Sequence, residues 1–549
     1  MSATTPAFGV ERFRDVLPLR DSTGRATGLF SDHGSWFGVV WGLSQLLEIR
    51  NIADGKIYSL DVGSPLKSAR SFADRQEFQL LDGRCGRLGF VDAHTLLIEL
   101  DGMNRPQVDG LLPHAVFGEA NAWQILVGDG QNELTAPPAE VFDRNRARWD
   151  GYFTAAFEGM DRPDNPTSQM LLARSVTTLL WNLRGPVETI PHSGVIPSPF
   201  SYPGYWAWDS WKHAYALAHF APELAAEQLR AQFHRQQSDG MVPDTVFPDA
   251  QQDNWRNTKP PLAAWALEFL VRRTDNDDVA RELYPKCAQQ MRWFNAARRA
   301  PGEVLFRAGG TDHLTATWDT GWDECARFQS IGLIPHGSWL LLDLWQPDYN
   351  AYCFNELRAL AALAQRLGLD DEATAWSTQA EELGAAMRRG LWNEAKGCFC
   401  DVRASDGSST GIRSAACWLP VWAGAADEHQ AAQVRKLLKS PNHFGTAMPF
   451  PTLAASEPSF TPDGYWSGGV WADHTAYAIQ ILGEEGRKER DRIRDHLAQR
   501  ETLYECYSPL DGQPGRGNRP AVSQFSWTAA AGVAVPHGGP HPSPTSPAS

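Results

Sequence analysis

Two aspartates, Asp319 and Asp323, stand four residues apart in the stretch ATWDTGWDECARF, and each directly follows a tryptophan. Burying an unpaired carboxylate is costly, so such a group is either neutralised by a partner or used in chemistry. Trp322 and Phe328 would desolvate Asp323, and desolvation raises the pKa of a carboxyl group. A carboxyl group that stays protonated can act as a general acid. An ion pair with Arg327, four residues on, is the alternative.

Tryptophan is abundant in this chain, which has 22 Trp among 549 residues. An indole ring offers a flat apolar face and one hydrogen-bond donor, which suits stacking on the C–H face of a sugar ring. Many of the tryptophans lie in or beside loops, next to acidic, amide or glycine residues: Trp206, Trp208, Trp211, Trp255, Trp318, Trp322, Trp345, Trp466, Trp471 and Trp527. Because core tryptophans would instead be spread along helix faces, this placement favours a carbohydrate-binding cleft.

A cleft that hydrolyses a glycosidic bond needs a second carboxyl group, which acts as a base or a nucleophile. Glu505 is a candidate, because it lies between Tyr504 and Cys506 in the aromatic stretch TLYECYSPLDG, just past a predicted helix. A glutamate at this place could hold a water molecule. Asp319 is interpreted as a ligand of sugar hydroxyls, or as a support behind Asp323, rather than as the acid itself.

The composition disfavours several classes of partner. The formal net charge of −15 argues against nucleic acid, anionic membranes and polyanionic substrates. No run of 18 apolar residues occurs, so no membrane span is expected. The first twenty residues lack an apolar segment, and the eight Cys are scattered without metal or disulfide spacing. A cytoplasmic protein with reduced thiols is therefore expected, while the oligomeric state is left open.

The sequence pattern changes along the chain. Short β-prone runs, among them KIYSLDV and TLLIEL, are separated by Gly, Asp and Asn before residue 136, which predicts an N-terminal β-sandwich domain over residues 1–157. The stretch EGMDRPDNPTS, residues 158–168, is predicted to be a linker. Residues 169–536 form the predicted helical domain, and the tail 537–549, rich in Pro and Ser, is predicted to be disordered.

The helical region is predicted to contain about twelve helices in consecutive pairs. In FNELRALAALAQRLGL, for example, Leu357, Leu360 and Leu363 recur at three-residue steps. The predicted helices lie near residues 169–184, 208–220, 223–236, 259–273, 277–298, 350–368, 370–389, 411–423, 427–439, 470–482, 485–500 and 523–534. Such pairs fit a toroid of helical hairpins, with the long aromatic loops gathered at one end of the ring.

Several aromatic motifs follow one another along the helical region. They are GYWAWDSWKHAYALAHF, NWRNTKPPLAAWAL, DTGWDECARF, PDYNAYCFNELRALA, GYWSGGVW and YECYSPLDG followed by FSW. In these motifs and their order the chain resembles bacterial members of glycoside hydrolase family 63, which include α-glucosidases and hydrolases of mannosylglycerate and glucosylglycerate, with trehalases as more distant relatives. FSDHGSWFGVVW also resembles the group's N-terminal β-domain.

The resemblance implies a mostly α fold, an (α/α)6 barrel catalytic domain behind an N-terminal β-sandwich, and hydrolysis of a short α-linked glucoside or mannoside with inversion. The family's general acid falls on Asp323, and its general base falls on Glu505, with Tyr507 completing an E-x-Y motif. The predicted substrate-binding residues are Trp208, Asp209, Asn257, Lys259, Asp319, Trp322, Trp466 and Trp527. The expected partner is a small carbohydrate, and no cofactor is required.

The chain departs from the family pattern at three places. Asp319 stands where the family has Glu, and Ser467 and Gly469 replace Arg and Pro in GYWSGGVW. The segment RRAPGEVLFRAGGTD lacks the acidic calcium ladder of a larger relative, so no metal site is expected. Lys212 and His213 are interpreted as surface residues of a helix.

Two other functions are left open by the residues. An inverting disaccharide phosphorylase would keep the acid and replace the base with a phosphate site; Glu505 and the lack of a phosphate loop argue against it. A catalytically inactive sugar-binding protein is the second alternative, although both carboxylates are present. A polysaccharide lyase fits poorly because its substrates are acidic, as this chain is. Glucosides, mannosides and their glycerate conjugates all remain candidate substrates.

Overall fold

The computed structural model describes residues 27–41, 46–102, 104–109, 114–119, 121–127, 136–160, 165–516 and 520–534. Of the described residues, 43% are helical and 19% are in strands, so this part of the chain mixes helices and strands, whereas a mostly α fold was predicted. The longer strands precede residue 128 and the helices follow residue 137, as the change from β-prone to helical sequence patterns predicts. The predicted tail, residues 537–549, lies outside the described residues.

The N-terminal region consists of two antiparallel sheets. The strands are β1 (Thr27–Leu29), β2 (Phe37–Trp41), β3 (Leu47–Asn51), β4 (Ile57–Asp61), β5 (Leu66–Ser71), β6 (Gln76–Leu80), β7 (Cys85–Phe90), β8 (Thr95–Leu100), β9 (Gln107–Asp109), β10 (His114–Glu119) and β11 (Ala122–Val127). One sheet has the order β1-β2-β3-β4-β9, and the other has the order β10-β11-β8-β7-β6-β5. In β6, Phe78 and Leu80 are buried while Glu77 is exposed, which is the alternation of a strand with one face against a core.

A long helix that was not predicted follows the sheets. Helix α1 (Pro138–Gly159) has Pro in its first turn and buries Trp149, Phe153 and Phe157, which recur at four-residue steps. It contacts β7 and also α2 (Pro166–Trp181). The stretch predicted to be a linker therefore overlaps the end of α1 and the start of α2, while residues 161–164 between them lie outside the described part of the chain.

The helices after α2 match the predicted pattern closely. They are α3 (Ala207–Leu217), α4 (Pro222–Phe233), α5 (Ala263–Thr274), α6 (Asp277–Ala297), α7 (His313–Trp318), α8 (Pro347–Arg366), α9 (Asp370–Gly390), α10 (Leu419–Trp422), α11 (Glu428–Lys439), α12 (Ala472–Leu482), α13 (Arg487–Ala498) and α14 (Ser526–Ala534). The short α7 was not predicted. The helix predicted over residues 411–423 forms only near its end, because Ser414 pairs with Leu453 in an isolated bridge and keeps the preceding chain extended.

Six helices contact one another in succession around a closed ring. Helix α3 packs on α5, α5 on α8, α8 on α10, α10 on α12, α12 on α14, and α14 returns to α3. The helices α2, α4, α6, α9, α11 and α13 pack outside them. The burial of several helices fits this order: nearly every residue of α3 and α12 is buried, whereas α9 and α13 bury only one stripe.

Short strands hold the loops between the helices. They are β12 (Leu183–Arg184), β13 (Gly194–Val195), β14 (Tyr205–Trp206), β15 (Thr245–Val246), β16 (Gly309–Gly310), β17 (Leu333–His336), β18 (Trp339–Leu342), β19 (Trp392–Asn393) and β20 (Cys398–Phe399). The pairing of β14 with β15 brings the loop before α3 against the loop before α5. None of the helices in the described ranges is both long and apolar enough to cross a bilayer.

Candidate active site

A cavity of about 310 Å³ lies among the loops before α3, α5, α12 and α14 and the segment after α7. Its walls combine aromatic rings with a few convergent charged groups, as in sites for small polar ligands. The lining residues are Pro197, Tyr202, Trp206, Trp208, Asp209, Asp244, Thr245, Phe247, Asn254, Lys259, Trp318, Gly321, Asp323, Tyr465, Trp466, Trp471, Glu505, Phe525 and Trp527. Seven of the ten residues predicted for the site are among them: Trp208, Asp209, Lys259, Asp323, Trp466, Glu505 and Trp527.

Glu505 faces the cavity from the loop between α13 and α14. Its Oε1 accepts hydrogen bonds from the hydroxyl of Tyr465, at 2.7 Å, and from the hydroxyl of Tyr202, at 3.0 Å. The backbone N–H of Glu505 donates to the carbonyl of Val522 at 2.8 Å and so fixes the loop. Burial raises the pKa of Glu505, and the two hydroxyls offset part of that rise because they bind the ionised form. A carboxylate held in this way is suited to act as a base.

Asp323 lies in the segment after α7, close to a lysine that it shares with a second aspartate. Its Oδ1 is 3.9 Å from Nζ of Lys259, and the same ammonium is 3.5 Å from Oδ1 of Asp244. Burial raises the pKa of Asp244 to about 6, with Lys259 opposing the rise and Asp323 adding to it. One ammonium balances only one of two carboxylates, so this cluster favours retention of a proton in weakly acidic solution.

Arg327, the alternative ion-pair partner of Asp323, is directed to two other carboxylates. Its guanidinium is fully buried and donates to Asp348 at 2.8 Å and to Asp401 at 2.6 Å. It also covers the ring of Trp322 at 4.5 Å from the ring centroid. This buried cluster supports the segment that carries Asp323.

The segment that carries Asp323 runs unusually close to the cavity wall. Gly321 has a φ of +82°, and a Cβ at this position would collide with the ring of Trp208. Glu324, next to Asp323, has a φ of +58°, and Tyr465, which binds the base candidate, has a φ of +55°. Non-glycine residues in the left-handed region cost about 1–3 kcal/mol each and persist where the surroundings hold them, commonly at functional sites.

Stacked indole rings form the apolar wall of the cavity. The ring centroids of Trp208 and Trp527 are 4.8 Å apart, and those of Trp466 and Trp471 are 3.9 Å apart with an interplanar angle of 12°. Trp322, predicted to contact substrate, is instead fully buried behind the lining and stacks on Trp466 at 5.2 Å. Trp322 therefore supports the cavity wall from behind Trp466.

The structure places two further predicted ligands, Asp319 and Asn257, behind the lining of the cavity. The carboxylate of Asp319 is fully buried, lies 2.9 Å from the guanidinium of Arg298 and accepts a hydrogen bond from the hydroxyl of Tyr349 at 2.7 Å. It also accepts from the backbone N–H of Thr258 at 2.9 Å. The amide of Asn257 donates to the carbonyl of Thr258 at 2.8 Å. Both side chains lie outside the cavity lining and hold the wall together, as the supporting role considered for Asp319 requires; a role as substrate ligands stays a prediction.

Substitution of Asp319 should therefore act on stability. The Asp319→Asn variant leaves the buried guanidinium of Arg298 without its charged partner, which is expected to lower the free energy of unfolding by about 3–5 kcal/mol. Denaturant unfolding followed by circular dichroism measures this loss. The matched control is Asp278→Asn, since Asp278 forms an exposed ion pair with Arg281 and is expected to change stability by less than about 1 kcal/mol. An equally small change for Asp319→Asn would contradict the structural role.

Lys212 and His213 are buried, so their interpretation as surface residues of a helix was wrong. The ammonium of Lys212 lies 2.9 Å from Asp473 and stands 3.6 Å from the ring centroid of Trp208 and 4.0 Å from that of Trp527. A cation over an aromatic face is attracted to it, which fixes both rings from the side away from solvent. Burial lowers the pKa of His213 to about 3, so its imidazole is neutral.

Asp209 supplies a further carboxylate to the cavity from the first turn of α3. Burial raises its pKa to about 7, and the nearby ammonium groups of Lys212 and Lys259 oppose the rise. Near neutral pH this group therefore exists in both protonation states. It is able to accept a hydrogen bond from a sugar hydroxyl or to donate one to it.

Several residues that shape the site were not singled out from the sequence. Tyr202 and Tyr465 bind Glu505, and Asp244 shares Lys259 with Asp323. All three lie in the long aromatic loops, so the available signal was the density of aromatic and acidic residues in FSYPGYWAW, MVPDTVF and DGYWSGGVW. That signal marks the segment and leaves the individual residue undetermined.

Acidic, histidine and cysteine side chains do not gather into a metal site in the described part of the chain. Within the ranges that the structure covers, no three or more His, Cys, Asp or Glu are arranged to hold an ion. All eight Cys are free thiols, and Cys85 is the exposed one. The absence of a metal requirement stays a prediction.

Paired carboxylates facing one aromatic cavity, set in the loops of a ring of helices, define the chain as a glycosidase. A family model described as the mannosylglycerate hydrolase MGH1-like glycoside hydrolase domain matches residues 202–528, more than half of the chain. The chain belongs to this family. The resemblance to glycoside hydrolase family 63 that the motifs indicated is thereby confirmed.

Curated relatives carry names of two related activities. A mannosylglycerate hydrolase of Rubrobacter radiotolerans is 24% identical, and the match covers 67% of this chain and 97% of the relative. Mannosylglycerate hydrolase MGH1 of Selaginella moellendorffii is 27% identical over 61% of this chain and 80% of its own length. A glucosylglycerate hydrolase of Mycolicibacterium hassiacum is 23% identical, with 67% and 98% covered.

Solved structures show the same kind of fold. The mannosylglycerate hydrolase of Thermus thermophilus in complex with glucose superposes with a TM-score of 0.55 at 23% identity, covering 66% of this chain and 99% of that one. A bacterial glucoamylase complexed with acarbose superposes with a TM-score of 0.59 at 10% identity, covering 97% and 95%. The neutral trehalase of Saccharomyces cerevisiae gives 0.51 at 14% identity over 62% of this chain and 72% of its own.

Proposed function

We propose that the protein is an inverting α-glycosidase that hydrolyses a short α-linked glucoside or mannoside, either a disaccharide or a glycosylglycerate. Asp323 is the general acid and protonates the glycosidic oxygen as the bond to the anomeric carbon breaks. Glu505 is the general base and removes a proton from the water that attacks the opposite face of the sugar ring. The observation that carries the proposal is that both carboxylates line one tryptophan-walled cavity.

The environment of each carboxylate suits its role. Glu505 accepts two tyrosine hydroxyls that favour its ionised form, as a base requires. Asp323 shares the ammonium of Lys259 with the buried Asp244 and lines the cavity, where its carboxyl group can approach the glycosidic oxygen, as an acid requires. The two groups thus differ in surroundings, and such a difference assigns acid and base in enzymes that use two carboxyl groups.

The remaining lining residues would bind the sugar whose bond is broken. Trp208, Trp466 and Trp527 offer ring faces, and Asp209 and Lys259 offer polar groups for sugar hydroxyls. A cavity of about 310 Å³ suits a ligand of one or two sugar-sized units. The names of the curated relatives support glycerate conjugates of mannose and glucose as substrates to test.

The proposed function implies a particular architecture and setting. The closed ring of helix contacts supports an (α/α)6 barrel, and the two N-terminal sheets support a β-sandwich that packs against it. The eight free thiols favour a reducing compartment, so we place the enzyme in the cytoplasm.

A substrate panel tests the proposal directly. The protein is incubated with α-linked disaccharides of glucose and mannose and with both glycosylglycerates, and the released sugar is identified by chromatography. We expect release of a free sugar from at least one α-linked compound, in the presence or absence of phosphate. The variant that combines Asp323→Asn with Glu505→Gln, purified in parallel, controls for contaminating glycosidases. A sugar 1-phosphate formed only with phosphate would favour the phosphorylase, and no release from any compound would contradict the proposal.

A further inference from the structure

A tight turn, residues 198–202, stands between the N-terminal sheets and the cavity. Ser198 and Tyr202 pair across it as an isolated bridge, with the N–H of Tyr202 donating to the carbonyl of Ser198 at 3.2 Å. The hydroxyl of Ser198 donates to the carbonyl of Ser523 at 2.9 Å, which ties the turn to the segment before α14. The tip of the turn, Pro199 and Phe200, points away from that segment to the sheets, as its contacts show.

The tip of the turn is held by residues of the N-terminal sheets. Arg50, on β3, donates from Nε to the carbonyl of Pro199 at 3.2 Å and from a terminal nitrogen to the carbonyl of Phe200 at 3.0 Å. The ring of Phe200 lies edge-on to Phe30, with the centroids 5.7 Å apart, and 5.5 Å from the guanidinium of Arg50. The turn is therefore fixed by two charge-assisted hydrogen bonds and by aromatic packing.

The other side of the same turn reaches the catalytic carboxylate. Two residues after Phe200, the hydroxyl of Tyr202 donates to Oε1 of Glu505 at 3.0 Å. The ring of Tyr202 is also packed edge-on against Trp206, at 5.3 Å, and against Phe525, at 5.9 Å. A shift of the tip would therefore move the hydroxyl that helps to place Glu505.

We propose that the N-terminal sheet domain contributes to the active site. Arg50 is a positioning residue: by holding the turn 198–202, it keeps the hydroxyl of Tyr202 hydrogen-bonded to Glu505. This inference rests on the proposed function, because it requires Glu505 to be the base. Tyr202 is the first residue of the family match, whereas Arg50 and Phe30 precede the match.

The consequence for pH dependence has a definite sign. The groups that face Glu505 are the hydroxyls of Tyr465 and Tyr202, the N–H of Val522 and the carboxylate of Asp323. The hydroxyl of Tyr202 binds the ionised form and lowers the pKa of Glu505. If the turn loosens, that bond weakens, the pKa of Glu505 rises, and the base becomes protonated at a higher pH. The acid limb of kcat/KM against pH must then move to higher pH.

A double-mutant cycle tests the inference. Arg50→Ala is expected to lower kcat/KM on a substrate from the panel by about 10-fold, the size of one lost hydrogen bond to a charged group, and to move the acid limb to higher pH. Tyr202→Phe should produce both effects. In the Tyr202→Phe background, Arg50→Ala should lower kcat/KM no further, because the two residues act through one hydrogen bond.

The matched control is another arginine of the same domain. Arg84 also donates to two backbone carbonyls, those of Val62 and Gly102, both at 3.4 Å and both within the N-terminal sheets. Arg84→Ala should leave kcat/KM and its pH profile unchanged. Arg50→Lys, which keeps the positive charge but has a single donor nitrogen, should recover part of the loss. Thermal unfolding of each variant, followed by circular dichroism, shows whether a loss of activity comes from unfolding or from displacement of Tyr202.

The outcomes distinguish this inference from the proposed function. If the wild type hydrolyses the substrate, Glu505→Gln abolishes activity, and folded Arg50→Ala keeps the wild-type pH profile, the positioning role is overturned while the function stands. Equal losses from Arg50→Ala with and without Tyr202 would also overturn it. If Glu505→Gln keeps full activity, Glu505 is not the general base, and the proposed function is overturned together with the positioning role.

Discussion

The Asp323→Asn variant is expected to fold, to bind sugar and to turn over an unactivated disaccharide at least about 10²-fold, and up to about 10⁴-fold, more slowly than the wild type. Asparagine keeps the shape of the side chain and cannot deliver a proton to the departing oxygen. Steady-state rates give the loss in kcat, and isothermal titration with the released sugar shows whether binding is kept. Near-normal turnover of the disaccharide would refute the assignment of the acid.

The choice of leaving group makes the test specific for proton donation. Fluoride leaves with little protonation, so the matching glycosyl fluoride should be partly spared in the Asp323→Asn variant. The control is Glu324→Gln, the adjacent exposed carboxyl group, which does not line the cavity and should leave both substrates unaffected. Equal losses on the disaccharide and the fluoride would indicate that Asn disturbs binding rather than proton transfer.

The helices could be predicted from the sequence because they are amphipathic or continuously apolar over several turns. All twelve predicted helices appear, and their ends shift by a few residues. The helix at residues 411–423 was overextended because a bridge between Ser414 and Leu453, distant in sequence, outweighs the local pattern. Helix α1 was missed although its buried residues recur at helical spacing, because residues 1–157 were assigned as a whole to the β-sandwich domain.

The site was predictable only in part, for a reason that follows from its construction. Asp323 was selected because Trp322 and Phe328 flank it in the sequence, and Glu505 because the stretch around it resembles a motif of the family. Tyr202 and Asp244 reach the cavity through pairings between loops far apart in the chain, which no local pattern records. Asp319 shows the converse: it sits in the same motif as Asp323, yet its carboxylate turns to a buried arginine.

The last prediction concerns the base and the stereochemistry of the product. Glu505→Gln should lower kcat by about 10²- to 10⁴-fold, because the attacking water then loses the group that removes its proton. Unlike Asp323→Asn, this variant should lose activity on the glycosyl fluoride as well, since water must be activated whatever group departs. Glu501→Gln, an exposed glutamate four residues earlier and outside the cavity lining, is the control.

Inversion should be visible in the first minutes of hydrolysis by the wild type. An inverting site leaves room for one water, which places the two carboxyl groups about 6.5–9.5 Å apart, against about 5–5.5 Å in a retaining site. Attack by that water on the face opposite the leaving group turns an α-linked substrate into the β-sugar. Proton NMR records the anomeric signals before mutarotation equalises them, and we expect the β-anomer first. An initial α-anomer, or a glycosyl group trapped covalently on the protein, would mean that Glu505 is a nucleophile rather than a base. The hydroxyls of Tyr465 and Tyr202 would then have to leave Oε1 of Glu505 so that this oxygen could bond to the sugar.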